Sequence, residues 1–316
     1  RALAVPARGA GLTGDRRCAQ KPGSREVSIR HPIIAVTGSS GAGTTTVMQS
    51  FQHIFRREGI RAQVVEGDSF HRFNRLEMRE KMKEAEASGN KHYSHFGPYS
   101  NLLEELEALF RSYGEAGGGR VRKYIHDAGE AAEFGVGPGN FTDWKDIEPG
   151  SDLMFYEGLH GAYVDGNVDV ARHVDLLVGV VPIINLEWIQ KLHRDKKLRG
   201  YSQEAVVDTI LRRMPDYVNY ICPQFGVTHV NFQRVPTVDT SNPFIARDIP
   251  SADESMVIIR FANPKGIDLP YLLSMLHDSW LTRPNTIICP GGKMGLAMQL
   301  IFTPMILRLM DRKRRA

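Results

Sequence analysis

A glycine- and serine-rich loop near the start of the chain has residue types that suit phosphate binding. It follows the short apolar run 32–36, precedes a stretch with helical periodicity, and reads Thr-Gly-Ser-Ser-Gly-Ala-Gly-Thr-Thr-Thr from position 37. A strand, a glycine-rich loop and a helix in this order can surround a phosphate chain with backbone N–H groups at a helix N-terminus. The residues that we expect to bind the phosphates of a nucleotide are Gly38, Ser39, Ser40, Gly41, Ala42, Gly43, Thr44, Thr45 and Thr46.

The loop departs from the usual phosphate-binding pattern at one position. That pattern is Gly, four residues, Gly, Lys and then Ser or Thr, whereas Thr44 occupies the place of the lysine. Thr45 still offers the hydroxyl that would bind Mg²⁺. The positive charge that the lysine would supply must therefore come from another part of the chain.

Two acidic residues follow apolar runs and are expected at the carboxyl ends of strands. Asp68 follows the run 62–66, and Glu157 follows the run 153–156. Functional groups in doubly wound sheets cluster at this edge. Glu157 would bind Mg²⁺ or its waters together with Thr45, and Asp68 would accept the proton of an attacking hydroxyl. Taken alone, each acid is equally compatible with a helix cap or a solvated loop.

Two basic residues close to Asp68 are placed to bind a phosphate on an acceptor molecule. His71 and Arg75 are four residues apart, so they share a face if the segment is helical. Arginine is the preferred fork for phosphate. The alternative for Arg75 is a solvated surface position.

A dense basic run, residues 191–199, is the candidate source of the missing lysine charge. We expect it to form a helix from which Lys191, Arg194 and Arg199 close over the phosphates. The alternatives are a solvated charged face and a nucleic-acid-binding patch. Such a patch usually interleaves aromatic residues with basic ones, whereas here the aromatic residues lie only at the two ends of the run. We therefore expect no nucleic-acid partner.

Strand-like and helix-like segments alternate from residue 29 onward, which predicts an α/β fold with a mostly parallel sheet flanked by helices and with additional late strands. Residues 120–150 show no clear period and are expected to form a long loop or an inserted hairpin. We find no linker between independent domains, so residues 29–316 are expected to be one domain. The predicted strands are 33–36, 62–66, 153–156, 176–181, 257–261 and 286–289, and the predicted helices are 45–58, 75–88, 101–113, 187–199, 203–221 and 294–310.

The composition is that of a soluble globular protein, with 42% hydrophobic and 24% charged residues and a net charge of +4. No apolar run reaches the roughly 18 residues of a membrane span, so we expect no membrane segment. Three widely spaced cysteines suggest a reducing, cytoplasmic compartment. Residues 1–28 are rich in Ala, Gly and Arg and are expected to be a disordered extension; a transit peptide is the alternative, which Asp15 and Glu26 oppose.

Together these residues resemble the phosphoribulokinases of the bacterial type. The resemblance extends from about Pro32 to the last predicted helix, and its segments occur in order at 37–44, 66–75, 155–161, 185–191 and 238–247. Members of this group also carry threonine in the lysine position of the loop. The resemblance implies a P-loop kinase-like sheet in which the late strands are antiparallel.

The resemblance also implies a reaction and its residues. The reaction is ATP-dependent phosphorylation of the C1 hydroxyl of D-ribulose 5-phosphate, which gives ribulose 1,5-bisphosphate for carbon dioxide fixation in the Calvin cycle. Asp68 would be the general base, and Glu157 would serve Mg²⁺. Lys191 and Arg199 would support the transfer. The residues implied to hold the sugar phosphate are His71, Arg75 and Arg194.

Regulation and assembly are implied in the same way. Bacterial members are octamers activated by NADH and inhibited by AMP, and the plant-type enzymes have a cysteine switch in the phosphate loop. This chain has Ser40 and Ala42 there. The positions implied to hold the effector are Arg57, Arg260 and Arg283.

Two alternatives to this function remain open. One is a related P-loop kinase of an unphosphorylated acceptor, such as a uridine or pantothenate kinase, which the pair His71 and Arg75 opposes. The other is a catalytically silent nucleotide-binding regulator. The presence of both Asp68 and Glu157 opposes that reading, because a silent protein would need neither.

Overall fold

The computed structural model describes residues 28–39, 44–199, 202–246 and 248–316, and within the helices it gives no side-chain detail for residues 44, 45 and 196–199. The predicted N-terminal extension lies outside the described residues except for Ser28. Four residues of the phosphate loop, 40–43, also lie outside them.

The described elements alternate much as the sequence predicts. The strands are β1 (Ile33–Thr37), β2 (Ala62–Glu66), β3 (Arg120–Val121), β4 (Lys145–Asp146), β5 (Leu153–Gly158), β6 (Leu176–Val181), β7 (Val230–Pro236), β8 (Ser255–Phe261), β9 (Trp280–Arg283) and β10 (Thr286–Pro290). The helices are α1 (Thr44–Arg57), α2 (Arg75–Ala87), α3 (Leu103–Ala116), α4 (Ala128–Phe134), α5 (Ile184–Arg199), α6 (Gln203–Asp216), α7 (Leu269–Met275) and α8 (Met294–Arg315). Short 3₁₀ turns include Gly67–Phe70 and Pro98–Ser100.

A mixed eight-stranded sheet organises the described part of the chain, in the order β2-β5-β1-β6-β7-β8-β10-β9. Strands β2, β5, β1, β6 and β7 are parallel. Strands β8, β10 and β9 continue the sheet in antiparallel pairings. The predicted class, a mostly parallel sheet flanked by helices with late antiparallel strands, is confirmed.

Two apolar clusters fill the two faces of this sheet. One contains Phe51 of α1, Phe155 of β5 and Phe302 of α8, and the other contains Phe110 of α3 and Tyr156 of β5. Strand β5 supplies both clusters because successive side chains of a strand point to opposite faces. Its residues 153–156 are buried, as expected for a central parallel strand.

Several elements differ from the sequence predictions. The insert 120–150 forms the small pair β3–β4 and helix α4, and strand β7 and helix α7 had no prediction. The predicted helix 203–221 ends as an α-helix at Asp216 and continues as a π-turn to Ile221. Pro215 lies at this change, and its missing N–H removes one hydrogen bond of a regular helix.

The last helix qualifies the expectation about membrane segments. By length and composition alone, the stretch Gly291–Arg315 is able to span a membrane. Its residues Ala297, Ile301 and Phe302 are buried in the larger apolar cluster. The hydropathy of this helix is therefore accounted for by its packing against α1 and the sheet.

We predict that Phe302→Ala lowers the free energy of unfolding by about 3–5 kcal/mol. The Phe302 ring is fully buried and lies 4.7 Å from the Phe51 ring and 5.4 Å from the Phe232 ring, measured between centroids. Urea unfolding followed by circular dichroism measures the change. Leu296→Ala on the same helix is the control, because Leu296 is 43% exposed and should cost under about 1 kcal/mol. Equal losses in the two variants would contradict this account of the core.

Candidate active site

The first part of the phosphate loop is fixed to the neighbouring strand and to helix α5. Gly38 N donates to Gly158 O at 3.2 Å, and the Ser39 hydroxyl donates to Glu187 Oε1 at 2.6 Å. Gly38 and Ser39 are buried at the carboxyl end of β1, whereas Thr46 is exposed in the first turn of α1. The loop residues Ser40, Gly41, Ala42 and Gly43 lie outside the described residues, as do the side chains of Thr44 and Thr45.

Strand pairing places Glu157 beside this loop. Glu157 of β5 aligns with Val36 of β1 on one side and with Glu66 of β2 on the other. The Glu66 Oε2 atom is buried without a hydrogen-bond partner. A hard divalent cation prefers carboxylate oxygens and keeps several waters, so the donor chemistry at this edge fits Mg²⁺. In the described part of the chain, no cluster of three or more His, Cys, Asp and Glu residues is placed to bind a metal.

Asp68 lies in the 3₁₀ turn Gly67–Phe70 that follows β2. A Cβ atom on Gly67 would lie 2.8 Å from Gly158 Cα, so only glycine allows this turn to pack so closely against the end of β5. The Asp68 carboxylate is 43% exposed, and its Oδ1 atom lies 3.2 Å from His71 Nε2. The structure therefore brings Asp68, Glu157 and the phosphate loop to one edge of the sheet.

The pair formed by Asp68 and His71 favours the charged form of both side chains. Burial alone would raise the pKa of Asp68, but the charge and hydrogen bond of His71 outweigh it and hold that pKa well below its usual value. Burial alone would lower the pKa of His71, but Asp68 and a hydrogen bond to Asn101 raise it. Asp68 is therefore ionised at neutral pH, and its charge and the hydrogen bond to Asn101 favour the charged form of His71.

Two further histidines lie around this pair. His126 Nε2 is 3.8 Å from Asp68 Oδ2, and the His95 ring centroid is 4.8 Å from that of His71. Burial and the charge of His71 lower the pKa of His95 well below its usual value. Neither residue was selected in the sequence analysis, because its spacing along the chain carries no signal for this site.

Arg75 and His71 do not form the shared helical face expected from their spacing. Arg75 is the first residue of α2, with Asn74 as its N-cap, whereas His71 lies before the helix in an extended conformation. The Arg75 guanidinium donates to His126 O at 3.0 Å. Arg75 therefore supports the segment that carries His126 beside Asp68, and it remains exposed to solvent.

Arg122 holds the turn that carries Asp68 and His71. Its guanidinium donates to Ser69 O at 2.9 Å and to His71 O at 2.6 Å. The same group lies 3.7 Å from the centroid of the Phe141 ring and 4.8 Å from that of Trp144. The insert between β3 and β4 thereby fixes the turn, although the sequence analysis gave this insert no role.

The predicted basic helix α5 presents a buried cluster of charge. Asp195 accepts from Lys191 Nζ at 2.8 Å through Oδ2 and from Arg194 Nε at 3.0 Å through Oδ1. Burial and the charge of Arg213 lower the pKa of Lys191 to about 8, against the opposing attraction of Asp195. Lys191 is only 11% exposed, which rules out the solvated-face alternative for this residue. The Arg199 side chain lies outside the described residues.

Arg213 of α6 joins this cluster, although the sequence analysis did not select it. Its guanidinium lies 5.2 Å from the Phe96 ring centroid, and its charge acts on both His71 and Lys191. With Glu187 and Lys191 it lines a small cavity between α5 and α6. The apolar spacing of α6 predicts the helix, but no sequence pattern indicates that Arg213 turns toward the site.

The three predicted effector arginines divide into a pair and a single residue. Arg260 of β8 and Arg283 of β9 both align with Thr286 of the intervening strand β10, and both line an open cleft of about 620 Å³. Arg57 at the end of α1 instead donates to Thr303 Oγ1 of α8 at 2.9 Å. Within one chain, the structure brings together only Arg260 and Arg283.

The strand order, the helix that starts at the end of β1 and the acids at the ends of β2 and β5 define a P-loop kinase. A family model described as the phosphoribulokinase / uridine kinase family matches residues 33–241. The chain belongs to this family.

Named relatives cover nearly the whole chain. The chromosomal phosphoribulokinase of Cupriavidus necator is 67% identical over 290 residues, which are 92% of this chain and 99% of that protein. The phosphoribulokinase of Nitrobacter vulgaris is 64% identical over 287 residues, which are 91% and 99% of the two chains. A solved structure of phosphoribulokinase from Rhodobacter spheroides superposes with a TM-score of 0.84 at 57% identity, covering 91% of this chain and 100% of that one.

We predict that Arg122→Leu lowers the free energy of unfolding by about 2–3 kcal/mol, because it leaves two backbone carbonyls without their charged donor and removes the cation from two aromatic rings. Chemical denaturation measures the loss. Arg120→Leu is the matched control, because Arg120 lies two residues earlier on strand β3 and is exposed. An Arg122→Leu variant as stable as the control would show that the insert does not hold the Asp68 turn.

Proposed function

We propose that the protein transfers the γ-phosphoryl group of ATP to the C1 hydroxyl of D-ribulose 5-phosphate, forming ribulose 1,5-bisphosphate and ADP for carbon dioxide fixation in the Calvin cycle. The observation that carries the proposal is the ionised Asp68, paired with His71 at the sheet edge that also holds the phosphate loop and Glu157. The high identity to named phosphoribulokinases over nearly the full chain supports the substrate.

Asp68 would act as the general base that takes the proton of the acceptor hydroxyl. The C1 oxygen attacks the γ-phosphorus, the bond to the ADP oxygen breaks, and the hydroxyl proton passes to the Asp68 carboxylate. A low pKa makes Asp68 a weak base in the ground state but keeps it ionised and ready. That suffices for a loose phosphoryl-transfer transition state, in which the proton leaves late.

The nucleotide would be held by the loop from Gly38 to Thr46, with Thr45 and Glu157 as the residues for Mg²⁺. The metal, when bound, would neutralise charge on the β- and γ-phosphates. Backbone N–H groups at the start of α1 would bind phosphate oxygens. The Ser39–Glu187 hydrogen bond connects the loop to α5, so nucleotide binding and the position of the basic helix are mechanically linked.

The basic helix would replace the loop lysine. Lys191 and Arg199 would stabilise charge that develops on the transferred group, and Arg194 would contact the sugar phosphate. His71 and Arg75 would complete the sugar-phosphate site. The cationic state of His71, and the connection of Arg75 to the His126 segment, support this arrangement. A site this rich in positive charge suits an acceptor that already carries a phosphate.

Regulation and assembly form a second part of the proposal. NADH would activate the enzyme by binding at Arg260 and Arg283, and Arg57 would have to reach that site from a second copy of the chain. The edge strand β9 supports a homo-oligomer, an octamer by resemblance, because Trp280 is 48% and Leu281 41% exposed on an unpaired edge. A cytoplasmic location agrees with the free thiols of Cys222 and Cys289. Residues 29–316 would act as one domain.

The test is an assay of ADP formation with ATP and Mg²⁺ in which the acceptor is varied. We expect turnover with ribulose 5-phosphate and none above background with uridine or pantothenate. Addition of NADH should increase the rate, and Arg260→Ala with Arg283→Ala should abolish that increase while preserving the basal rate. Turnover with uridine in place of the sugar phosphate would overturn the proposal.

We predict that Asp68→Asn lowers kcat by roughly 10²–10⁴-fold, because the positioned base is lost. The KM for ATP should change little, since Asp68 lies after β2 and outside the phosphate loop. Steady-state kinetics measure both constants, with Asp146→Asn on the exposed strand β4 as the control. A variant that keeps a tenth of the wild-type turnover would exclude Asp68 as the base.

We predict that kcat falls as the pH rises through about 8, because the pKa of Lys191 is lowered to about 8 and the lysine is charged only below it. In Lys191→Arg the guanidinium stays charged, so this alkaline decline should disappear even if the rate is lower overall. Lys81→Arg on the exposed face of α2 is the control. The same decline in Lys191→Arg would assign it to a different group.

A further inference from the structure

Asn101 is a buried amide whose orientation is fixed by the backbone around it. Its side chain is 2% exposed, and its Nδ2 group donates to His95 O at 2.8 Å and to Gly97 O at 2.7 Å. Both hydrogens of the amide are therefore used on carbonyl oxygens. A flipped amide would set Oδ1 against these two oxygens, so the flipped orientation is excluded.

The remaining atom of the amide faces His71. Asn101 Oδ1 lies 2.8 Å from His71 Nδ1, and an amide oxygen can only accept a hydrogen bond. The proton on Nδ1 is thereby assigned without reference to pH. The other ring nitrogen, Nε2, faces Asp68 Oδ1 at 3.2 Å, which is also an acceptor when ionised. Both nitrogens therefore carry a proton.

We propose that Asn101 is a positioning residue for phosphoryl transfer, which holds His71 as a doubly protonated ring that orients the Asp68 carboxylate. The proposal rests on Asp68 being the base of the proposed function. Asn101 reaches the reaction only through His71, and it contacts neither substrate in this account.

The backbone fixes the distance between the two residues. His71 and Asn101 form an antiparallel bridge. Arg72 N donates to Ser100 O and Leu102 N donates to Phe70 O, each at 2.8 Å. This pairing holds the backbones of the two residues side by side, so that His71 Nδ1 and Asn101 Oδ1 meet. His71 itself is 8% exposed, so water does not replace the amide as acceptor.

The segment that carries Asn101 is in turn fixed to α6. The Ser94 hydroxyl donates to Asp216 Oδ2 at 2.7 Å, and the Tyr99 hydroxyl donates to the same oxygen. Both contacts lie within a few residues of the two carbonyls that hold the amide. The orientation of Asn101 is therefore set by the tertiary structure and not by its own turn alone.

The charged and titratable groups that face His71 act on its charge in both directions, and His160, whose pKa is lowered to about 4 by burial, adds no positive charge. Asp68 stabilises the cation, and Arg213 opposes it. The His95 ring lies beside the His71 ring at an interplanar angle of 42°, and its pKa is well below its usual value, so it adds no second positive charge. The Tyr124 ring meets the His71 ring edge-on at 6.2 Å. The hydrogen bond from Arg122 to His71 goes to the backbone carbonyl and not to the ring.

The consequence for Asp68 is geometric. With Oδ1 held by the imidazolium, Oδ2 is the oxygen that lies toward His126, at 3.8 Å from its Nε2. This is the oxygen that remains for the acceptor hydroxyl. A neutral His71 would keep its proton on Nδ1, because Asn101 requires it there, and would turn a bare Nε2 lone pair against the carboxylate.

The first test compares kinetics of Asn101→Ala with wild type at two pH values. Without the Asn101 acceptor we expect the pKa of His71 to fall, so that the ring loses more of its charge at pH 7.5 than at pH 6. We expect kcat/KM for ribulose 5-phosphate to fall about tenfold at pH 7.5, the usual effect of losing a hydrogen bond to a charged group. The ratio of variant to wild type should recover toward unity at pH 6, and the KM for ATP should stay unchanged.

Asn263→Ala is the matched control, since Asn263 is an exposed turn residue that accepts from Lys265 N. A pH-independent loss in Asn101→Ala would indicate a structural role and overturn the proposal. So would a variant with unchanged kinetics at both pH values.

A double-mutant cycle separates positioning from packing. If Asn101 acts through His71, Asn101→Ala should have no further effect on kcat/KM in a His71→Gln background. Additive losses would show that Asn101 acts independently of His71 and would overturn the proposal.

The second test observes the protonation of the His71 ring nitrogens directly and does not depend on catalytic activity. Solid-state NMR of protein labelled with ¹⁵N in its histidine rings, with the His71 signals assigned by their absence in His71→Gln, reports the protonation of each nitrogen. We expect two protonated nitrogens at pH 7.5 in wild type and one in Asn101→Ala. A bare His71 nitrogen in wild type at this pH overturns the proposal. Failure of the proposed function would appear instead as full turnover of Asp68→Asn, with these NMR signals unaffected.

Discussion

The pairing of β5 between β1 and β2 is the constraint on which the site depends. It aligns Glu157 with Val36 on one side and with Glu66 on the other. Three carboxyl ends thereby meet at one edge, and the contact between Gly67 and Gly158 brings the Asp68 turn to within van der Waals distance of β5. A shift of one residue would turn every side chain of β5 to the opposite face, so the two apolar clusters and the site share one register.

A series of three polar side chains, in which acceptors and donors alternate, extends from this edge into the interior. Asp68, His71 and Asn101 are connected by hydrogen bonds at both nitrogens of the imidazole. Burial alone would neutralise both ionisable groups, and their mutual attraction keeps them charged. The insert 120–147 and the segment 94–101 pack around this chain and exclude water from His71. The candidate active site thus contains an ion pair between a buried imidazole and a partly exposed carboxylate, and both imidazole nitrogens have hydrogen-bonding partners.

In the proposed mechanism, the basic cluster on α5 and α6 supplies the positive charge of the absent loop lysine. Lys191, Arg194 and Arg213 lie around the carboxylate of Asp195, and burial together with the charges of Arg213 and Arg194 lowers the pKa of Lys191. A concentration of cations in a partly buried site is unfavourable without an anion. The same excess is suited to receive the phosphates of two substrates, whose charge would relieve the repulsion. The Ser39–Glu187 contact places this cluster against the phosphate loop.

Local patterns account for most of the elements and for the identity of the principal acids. The apolar runs predicted β1, β2, β5 and β6, whose alternation with helices is a property of neighbouring residues. The glycines around Ser39 and the acids Asp68 and Glu157 were recognisable because each lies at or just beyond the end of an apolar run of the sequence. Helix α7 was missed because it is only seven residues long, whereas β7 alternates apolar and polar residues from Val230 and was recognisable as a strand.

The sequence by itself determined the fold class, the phosphate loop, the acids beside it and the family resemblance, because these depend on residue types at short spacing. Only the tertiary structure decided which side chains contact one another and which of them are charged. Arg75 supports His126 and shares no helical face with His71, since the chain is extended before Asn74. Asn101, Arg122 and Arg213 join the site from distant segments, and no spacing along the chain encodes such contacts. The charge of His71 depends on two partners, Asp68 and Asn101, and Asn101 is brought to it only by folding.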